Sequence, residues 1–186
     1  SELVIPAVQR ATWPGLLRFC QGDVGLHPAF GLHPVYLAQH QDDDLLALET
    51  QLEAVQPVAV GEIGLDFHIK TLDPSRQMEL FEAQLSIARA AGLPVLLHCR
   101  KAHEPMLKAL KQNPPPGGIA HAFNGSVEQA KRYLDLGFKL GFGGMLTFER
   151  STRLRKLARE LPVDAIVLET DAPDMPPAGH QYQRNS

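Results

Sequence analysis

The sequence predicts an α/β fold, a parallel sheet with helices outside it. Three observations carry this. Seven short apolar runs rich in Val, Ile and Leu alternate with segments of helical spacing. The runs have no polar face, as strands covered on both sides should not. Pro and Gly bound them, so each run ends abruptly. Strict alternation is the pattern of consecutive strand–helix units.

The first strand falls near 3–7, opened by Leu3-Val4-Ile5, and a helix near 12–20 follows. The second strand is placed at 29–32, and Leu45, Leu48, Leu52 and Val55 form the next helical stripe. The third, at 57–61, leads to Asp73-Pro74, a cap followed by Pro at the first helical position. Met78, Phe81, Leu85 and Ala88 continue that helix as an apolar stripe. A strand at 94–98, a helix at 101–112 and a strand at 118–121 come next, the last two joined by a Pro-rich loop. Ser126 caps a helix bearing Val127, Ala130 and Leu134, and a strand follows at 138–142. Leu154, Leu157, Ala158 and Leu161 mark the helix before a final strand at 165–169. Gly92 and Gly137 each follow a helix, where a left-handed cap is wanted.

The chain has 186 residues, 44% hydrophobic, 21% charged and 6% aromatic, enough for one good-sized core. An open doubly wound sheet and a closed barrel both fit the alternation. A (β/α)8 barrel takes roughly 250 residues, so the chain is about 60 short of one. It opens with Ser1 almost inside an apolar run and closes in the polar stretch 179–186. The expectation is one partial domain over 1–186, a natural protein lacking pieces at both ends. No apolar run approaches the roughly 18–20 residues of a membrane span, and no signal peptide is visible. Two cysteines, Cys20 and Cys99, cannot make a disulfide framework, which favours a reducing, cytoplasmic setting. A net charge of −3 argues against a dedicated duplex-DNA-binding domain, so any nucleic-acid contact must be local.

Five reactive residues fall at the carboxyl ends of predicted strands: His33, Glu62, His98, His121 and Asp171. Active sites of parallel α/β folds lie at that end. Carboxylates and imidazoles together are a ligand set for a divalent metal such as Zn or Mn. Glu62 sits in Gly61-Glu62-Ile63-Gly64-Leu65-Asp66, where glycines permit close backbone approach. Arg100 and Lys101 follow His98, and the turn from His121 through Asn124 to Ser126 offers backbone N–H groups to an anion. His27 reads as a loop residue, and His40, His68, His103 and His180 as surface residues. Cys99 reads as a small packed side chain. The basic run from Arg150 to Arg159 reads as a solvated helix face, the alternative being phosphate contact by Arg150 or Arg153. Phe123 and Phe148 are either core residues or stacking surfaces for a base.

Gly31-Leu32-His33-Pro34, the Gly61–Asp66 segment, Leu97-His98-Cys99-Arg100, His121-Ala122-Phe123-Asn124-Gly125-Ser126 and Glu169-Thr170-Asp171-Ala172-Pro173 occur in that order. This resembles the TatD family of metal-dependent deoxyribonucleases, in the amidohydrolase superfamily. The segment Asp171–Pro176 is most similar to its YjjV-like branch. The resemblance implies a TIM (β/α)8 barrel, here without its first strand–helix unit and final helix, and a site with two divalent metal ions, Mg or Mn in turnover. It implies that Glu62 bridges the metals and that His98 and His121 hold the second. Asp171 would hold the first metal and take the proton of the attacking water. His33 would face the substrate phosphate. Independently of the resemblance, Arg100, Lys101 and the turn from Asn124 to Ser126 read as further phosphate contacts. The implied substrate is DNA, single-stranded or at strand ends; no membrane or protein partner is implied. The family's His-x-His pair has no counterpart in these 186 residues, so this stretch alone is expected to be inactive or weak. The alternatives are a metal-dependent carboxylic ester or amide hydrolase, such as an aminoacyl-tRNA deacylase, and an inactive scaffold.

Overall fold

Leu3, Val4, Ile5 and Pro6 lie alongside Leu26, His27, Pro28 and Ala29 in parallel register. This pairing opens the computed structural model, which describes residues 2–185. Strands β1 (Leu3–Pro6), β2 (Leu26–Phe30), β3 (Ala59–Asp66), β4 (Val95–Arg100), β5 (Gly118–Ala120), β6 (Phe138–Phe142) and β7 (Ile166–Leu168) alternate with six α-helices. These are α1 (Trp13–Cys20), α2 (Asp44–Val55), α3 (Pro74–Ala90), α4 (His103–Gln112), α5 (Val127–Asp135) and α6 (Thr152–Glu160). The chain packs as two units, one through Gly118 and one from Ile119. No helix among the described residues is long and apolar enough to cross a membrane.

In the first unit β1, β2, β3 and β4 pair in parallel in chain order. All eight residues of β3 are buried, as a strand covered on both faces requires. The strand runs past the 57–61 expected of it, so Glu62 lies inside β3 rather than beyond its end. Glycine misleads here, because Gly61 and Gly64 serve close approach and not termination. A Cβ on Gly61 would sit 2.6 Å from the Cβ of Leu96. Gly64 has φ of +145°, and a Cβ there would meet the carbonyl oxygen of His98 at 2.0 Å. β2 likewise starts earlier than expected, which puts His27 in a strand opposite Val4 and not in a loop.

Helix α3 starts as its sequence indicates. The Asp73 carboxylate accepts the Ser75 N–H at 2.9 Å, and Pro74 occupies the first turn. Phe81, Leu85 and Ala88 are wholly buried, the two larger side chains contributing about 1.5–3 kcal/mol each. Met78 is only half-buried, whereas Gln77 and Gln84 are at 1% and 0% exposure. The buried face of α3 thus keeps Phe81, Leu85 and Ala88 of the apolar stripe and adds two amides beside them.

In the second unit Ser126 and Gln129 form a reciprocal capping box at the start of α5. Phe123, Tyr133, Phe138 and Phe142 pack edge to face, with ring centroids 5.7–6.5 Å apart. Phe123 is therefore a core residue, at 2% exposure. β6 and β7 pair in parallel, Leu140 opposite Ile166 through Phe142 opposite Leu168. The basic run on α6 is only partly a solvated face. The Arg155 guanidinium donates to the carbonyls of Leu146, Phe148 and Glu149, and Arg153 donates to the Asn124 carbonyl at 2.8 Å.

Candidate metal centre

In the first unit three predicted site residues come together. His33 follows β2, Glu62 lies within β3 and His98 lies in β4. One donor atom from each falls within 4.8 Å of the other two. Glu62 reaches this cluster through an irregularity in its strand. Val60 pairs with Val95 but Ile63 pairs with Leu97, so β3 carries one extra residue at Gly61-Glu62. Such a bulge re-aims a side chain that regular pleating would place otherwise. The Glu62 carboxylate, 9% exposed, has Oε1 at 3.7 Å from His33 Nε2 and at 3.5 Å from His98 Nδ1.

The two histidines hold their protons in opposite senses. The Val35 N–H donates to His33 Nδ1 at 3.2 Å, so the neutral ring carries its proton on Nε2, the nitrogen facing Glu62. His98 is the reverse. Its Nε2–H donates to Asp66 Oδ2 at 3.1 Å, and Nδ1 faces Glu62. A carboxylate behind an imidazole is the usual support of a metal-binding histidine. His98 thus has the tautomer of a ligand and His33 that of a hydrogen-bond donor. Burial opposes charge on His98, but the hydrogen bond to Asp66, followed by Glu62, outweighs it and raises its pKa to about 9. Burial pushes the Asp66 carboxyl up, while His98 and the N–H groups of His68 and Ile69 hold it below its usual value. A cation between Glu62 and His98 would take the place of that imidazolium proton, so the donor set fits a divalent metal.

In the second unit His121 is held between two carboxylates. Its Nδ1 contacts Glu169, and its Nε2 lies 2.5 Å from Asp171 Oδ1. Glycines make room for Glu169: a Cβ on Gly141 would approach its Cδ to 3.2 Å, and one on Gly143 its Oε1 to 3.0 Å. One imidazole and two carboxylates are again donors suited to a divalent cation.

The remaining site residues are placed as follows. Arg100 is exposed at the end of β4. The Asn124 side chain reaches back to the Ala122 carbonyl at 3.5 Å. Ser126 is engaged in the helix cap, its Oγ accepting the Gln129 N–H and its own N–H donating to Gln129 Oε1. Two histidines read as surface residues have interior partners. His40 is half-buried with Nε2 at 2.9 Å from the His33 carbonyl, and His103 Nδ1 lies 3.3 Å from Cys99 Sγ. Asp66 and Glu169 are the site residues that sequence reasoning missed. Both lie in the Gly61–Asp66 and Glu169–Pro173 segments, and alternation gives the signal: Glu62, Gly64 and Asp66 share one strand face, as Glu169 and Asp171 share one side of an extended segment.

The family model described as TatD related DNase matches residues 1–186. An uncharacterized metal-dependent hydrolase of Escherichia coli K12, YjjV, is 39% identical over 188 residues, covering all of this chain and 73% of that protein. The 3'-5' ssDNA/RNA exonuclease TatD of Erwinia billingiae is 37% identical over 150 residues, which are 79% of this chain and 58% of that protein. The crystal structure of the Escherichia coli YjjV protein superimposes with a TM-score of 0.94 over 99% of this chain and 72% of its own. The alternating strands and helices are thus an incomplete TIM barrel, as the family resemblance implies. The chain belongs to the TatD-related DNase family of metal-dependent hydrolases.

Proposed function

We propose that this hydrolase is a nuclease that cleaves phosphodiester bonds at the ends of single-stranded DNA, using two divalent cations (Mg, Mn or Zn) held by Glu62, His98, His121 and Asp171. The observation that carries the reading is the meeting of His33, Glu62 and His98 within 4.8 Å, with His98 backed by a buried carboxylate. Relatives 36–37% identical bear the name 3'-5' ssDNA/RNA exonuclease, which supports the substrate class. When bound, divalent cations polarise a phosphoryl oxygen and lower the pKa of water.

The chain's own groups do the rest. Asp171, 29% exposed at its side chain, is the base that accepts a proton from the attacking water. His33 Nε2–H donates to a nonbridging phosphate oxygen, and Arg100 adds positive charge from the end of β4. Asn124 offers an amide donor, while the contacts of Ser126 serve the first turn of α5. The net charge of −3 suits local capture of a strand end better than binding along a duplex. Thiols at Cys20 and Cys99 suit a reducing cytoplasm.

The test is full-length protein with added Mg, Mn or Zn on end-labelled single-stranded DNA, the same strand in duplex, single-stranded RNA and a chromogenic carboxylic ester, side by side. Stepwise, chelator-sensitive shortening of the single strands is expected. Ester hydrolysis with the nucleic acids left intact contradicts the reading.

A further inference from the structure

Two amides on α3 grip the backbone beside the metal cluster. Gln84 Oε1 accepts the Leu32 N–H at 2.8 Å, and Gln84 Nε2 donates to the Leu32 carbonyl at 3.1 Å. Gln77 repeats this on β3, its Oε1 accepting the Asp66 N–H at 2.7 Å and its Nε2 donating to the Asp66 carbonyl at 3.0 Å. Both amides are wholly buried, and they stand seven residues apart, two turns on one helix face. Each pins both polar groups of one residue, as a neighbouring strand would, where regular pairing gives out. β2 ends at Phe30 and β3 ends at Asp66. The pinned residues are no random pair. Leu32 precedes His33, and Asp66 is the partner of His98 Nε2.

We propose that α3 is a positioning element for the metal cluster, in which Gln84 sets the backbone that carries His33, Gln77 sets Asp66, and Asp66 fixes the ring of His98 so that Nδ1 is presented beside Glu62. Gln77, Gln84 and Asp66 are positioning residues that act through His33 and His98. The inference rests on the metal-site reading above and adds to it the elements that set its geometry. A buried amide on a helix otherwise lined with Phe81, Leu85 and Ala88 costs desolvation unless both its ends are used, and here both are. Outer partners of this kind typically change metal affinity by about 10- to 100-fold when removed.

The experiment measures cobalt(II) binding to full-length metal-free protein by calorimetry and by the visible absorption of the bound ion. Asp66→Asn, Gln77→Met and Gln84→Met are compared with wild type and with Leu48→Ala, a truncation of a wholly buried residue on α2. Asp66→Asn keeps shape and acceptor but can turn its amide N–H toward His98 Nε2, which forces the proton onto Nδ1. Asp66→Asn and Gln77→Met are expected to weaken cobalt binding by about 10- to 100-fold and to alter the spectrum. Gln84→Met should leave cobalt binding near wild type and instead lower turnover through His33. Leu48→Ala should lower the melting temperature without changing affinity or spectrum. Should the methionine variants not fold, Gln77→Glu and Gln84→Glu, which keep the acceptor and lose the donor, replace them. Asp66 and Gln77 variants that behave like Leu48→Ala overturn the positioning role. A wild-type protein that takes up no cobalt overturns the metal-site reading, and this inference with it.

Discussion

The rings of His33 and His98 lie 4.4 Å apart, centroid to centroid, yet their contacts assign them opposite tautomers. His33 takes a backbone N–H on Nδ1 and turns Nε2–H toward Glu62, while His98 donates its Nε2–H to Asp66 and turns Nδ1 toward Glu62. In the function proposed above, two imidazoles facing one carboxylate take two tasks, ligand and donor.

That division makes Glu62→Gln and His33→Ala separable. The amide in Glu62→Gln carries no charge for a cation, so affinity for metal should fall and excess Mn should restore part of the rate. His33→Ala should lose one hydrogen bond to a charged group, roughly 1.5–3 kcal/mol, or about 10- to 200-fold in rate. Excess metal should not restore it. Kinetics over a Mn titration decide the matter, and equal rescue of both variants would make His33 a ligand.

Close approach at β3 and β4 sets the cost of filling its glycines. Gly64→Ala places a Cβ 2.0 Å from the backbone oxygen of His98, at a φ of +145°. Gly92 has φ of +66° with nothing within 4 Å. Gly92→Ala should cost only the left-handed strain, about 1–2 kcal/mol. Gly64→Ala should cost clearly more and disturb His98. Urea midpoints of the two variants give the comparison.

Ser126 is built as a cap. Ser126→Ala should lower stability by about 0.5–2 kcal/mol and leave turnover of the folded fraction within about twofold. A loss of turnover beyond tenfold (over about 1.4 kcal/mol) at unchanged stability would make the hydroxyl a substrate contact.

Much of this molecule is legible in the sequence, and the limits have physical causes. The seven strands, the Asp73-Pro74 start and the Ser126 cap follow from local chemistry, which the fold does not override. The extension of β3 to Asp66 does not, because Gly61 and Gly64 look like punctuation until β4 is seen lying against them. Glu62, His98, His121 and Asp171 stand out by residue type near the ends of the predicted strands, although Glu62 itself lies within β3. Gln77 and Gln84 do not, since an uncharged amide on a helix reads as a solvent face, and only their backbone partners, Leu32 beyond β2 and Asp66 in β3, reveal otherwise. Glu169 is hidden by Asp171, the more conspicuous carboxylate two residues on.

The two carboxylates around His121 should act together. Glu169→Gln should weaken uptake of one cation while the other, at Glu62 and His98, binds as in wild type. Calorimetric titration should then resolve two affinities where wild type shows tighter uptake of both. An unchanged isotherm would give Glu169 a structural role.

The most direct measurement is an anomalous difference map from crystals of the full-length protein grown with Zn. It should show an ion bonded to the Glu62 carboxylate and His98 Nδ1 at about 2.0–2.2 Å. His98 Nε2 should remain on Asp66, and His33 Nε2 should stand outside bonding distance. An ion bonded to His33 Nε2, or no ion at Glu62, contradicts the assignment of His98 as ligand and His33 as donor.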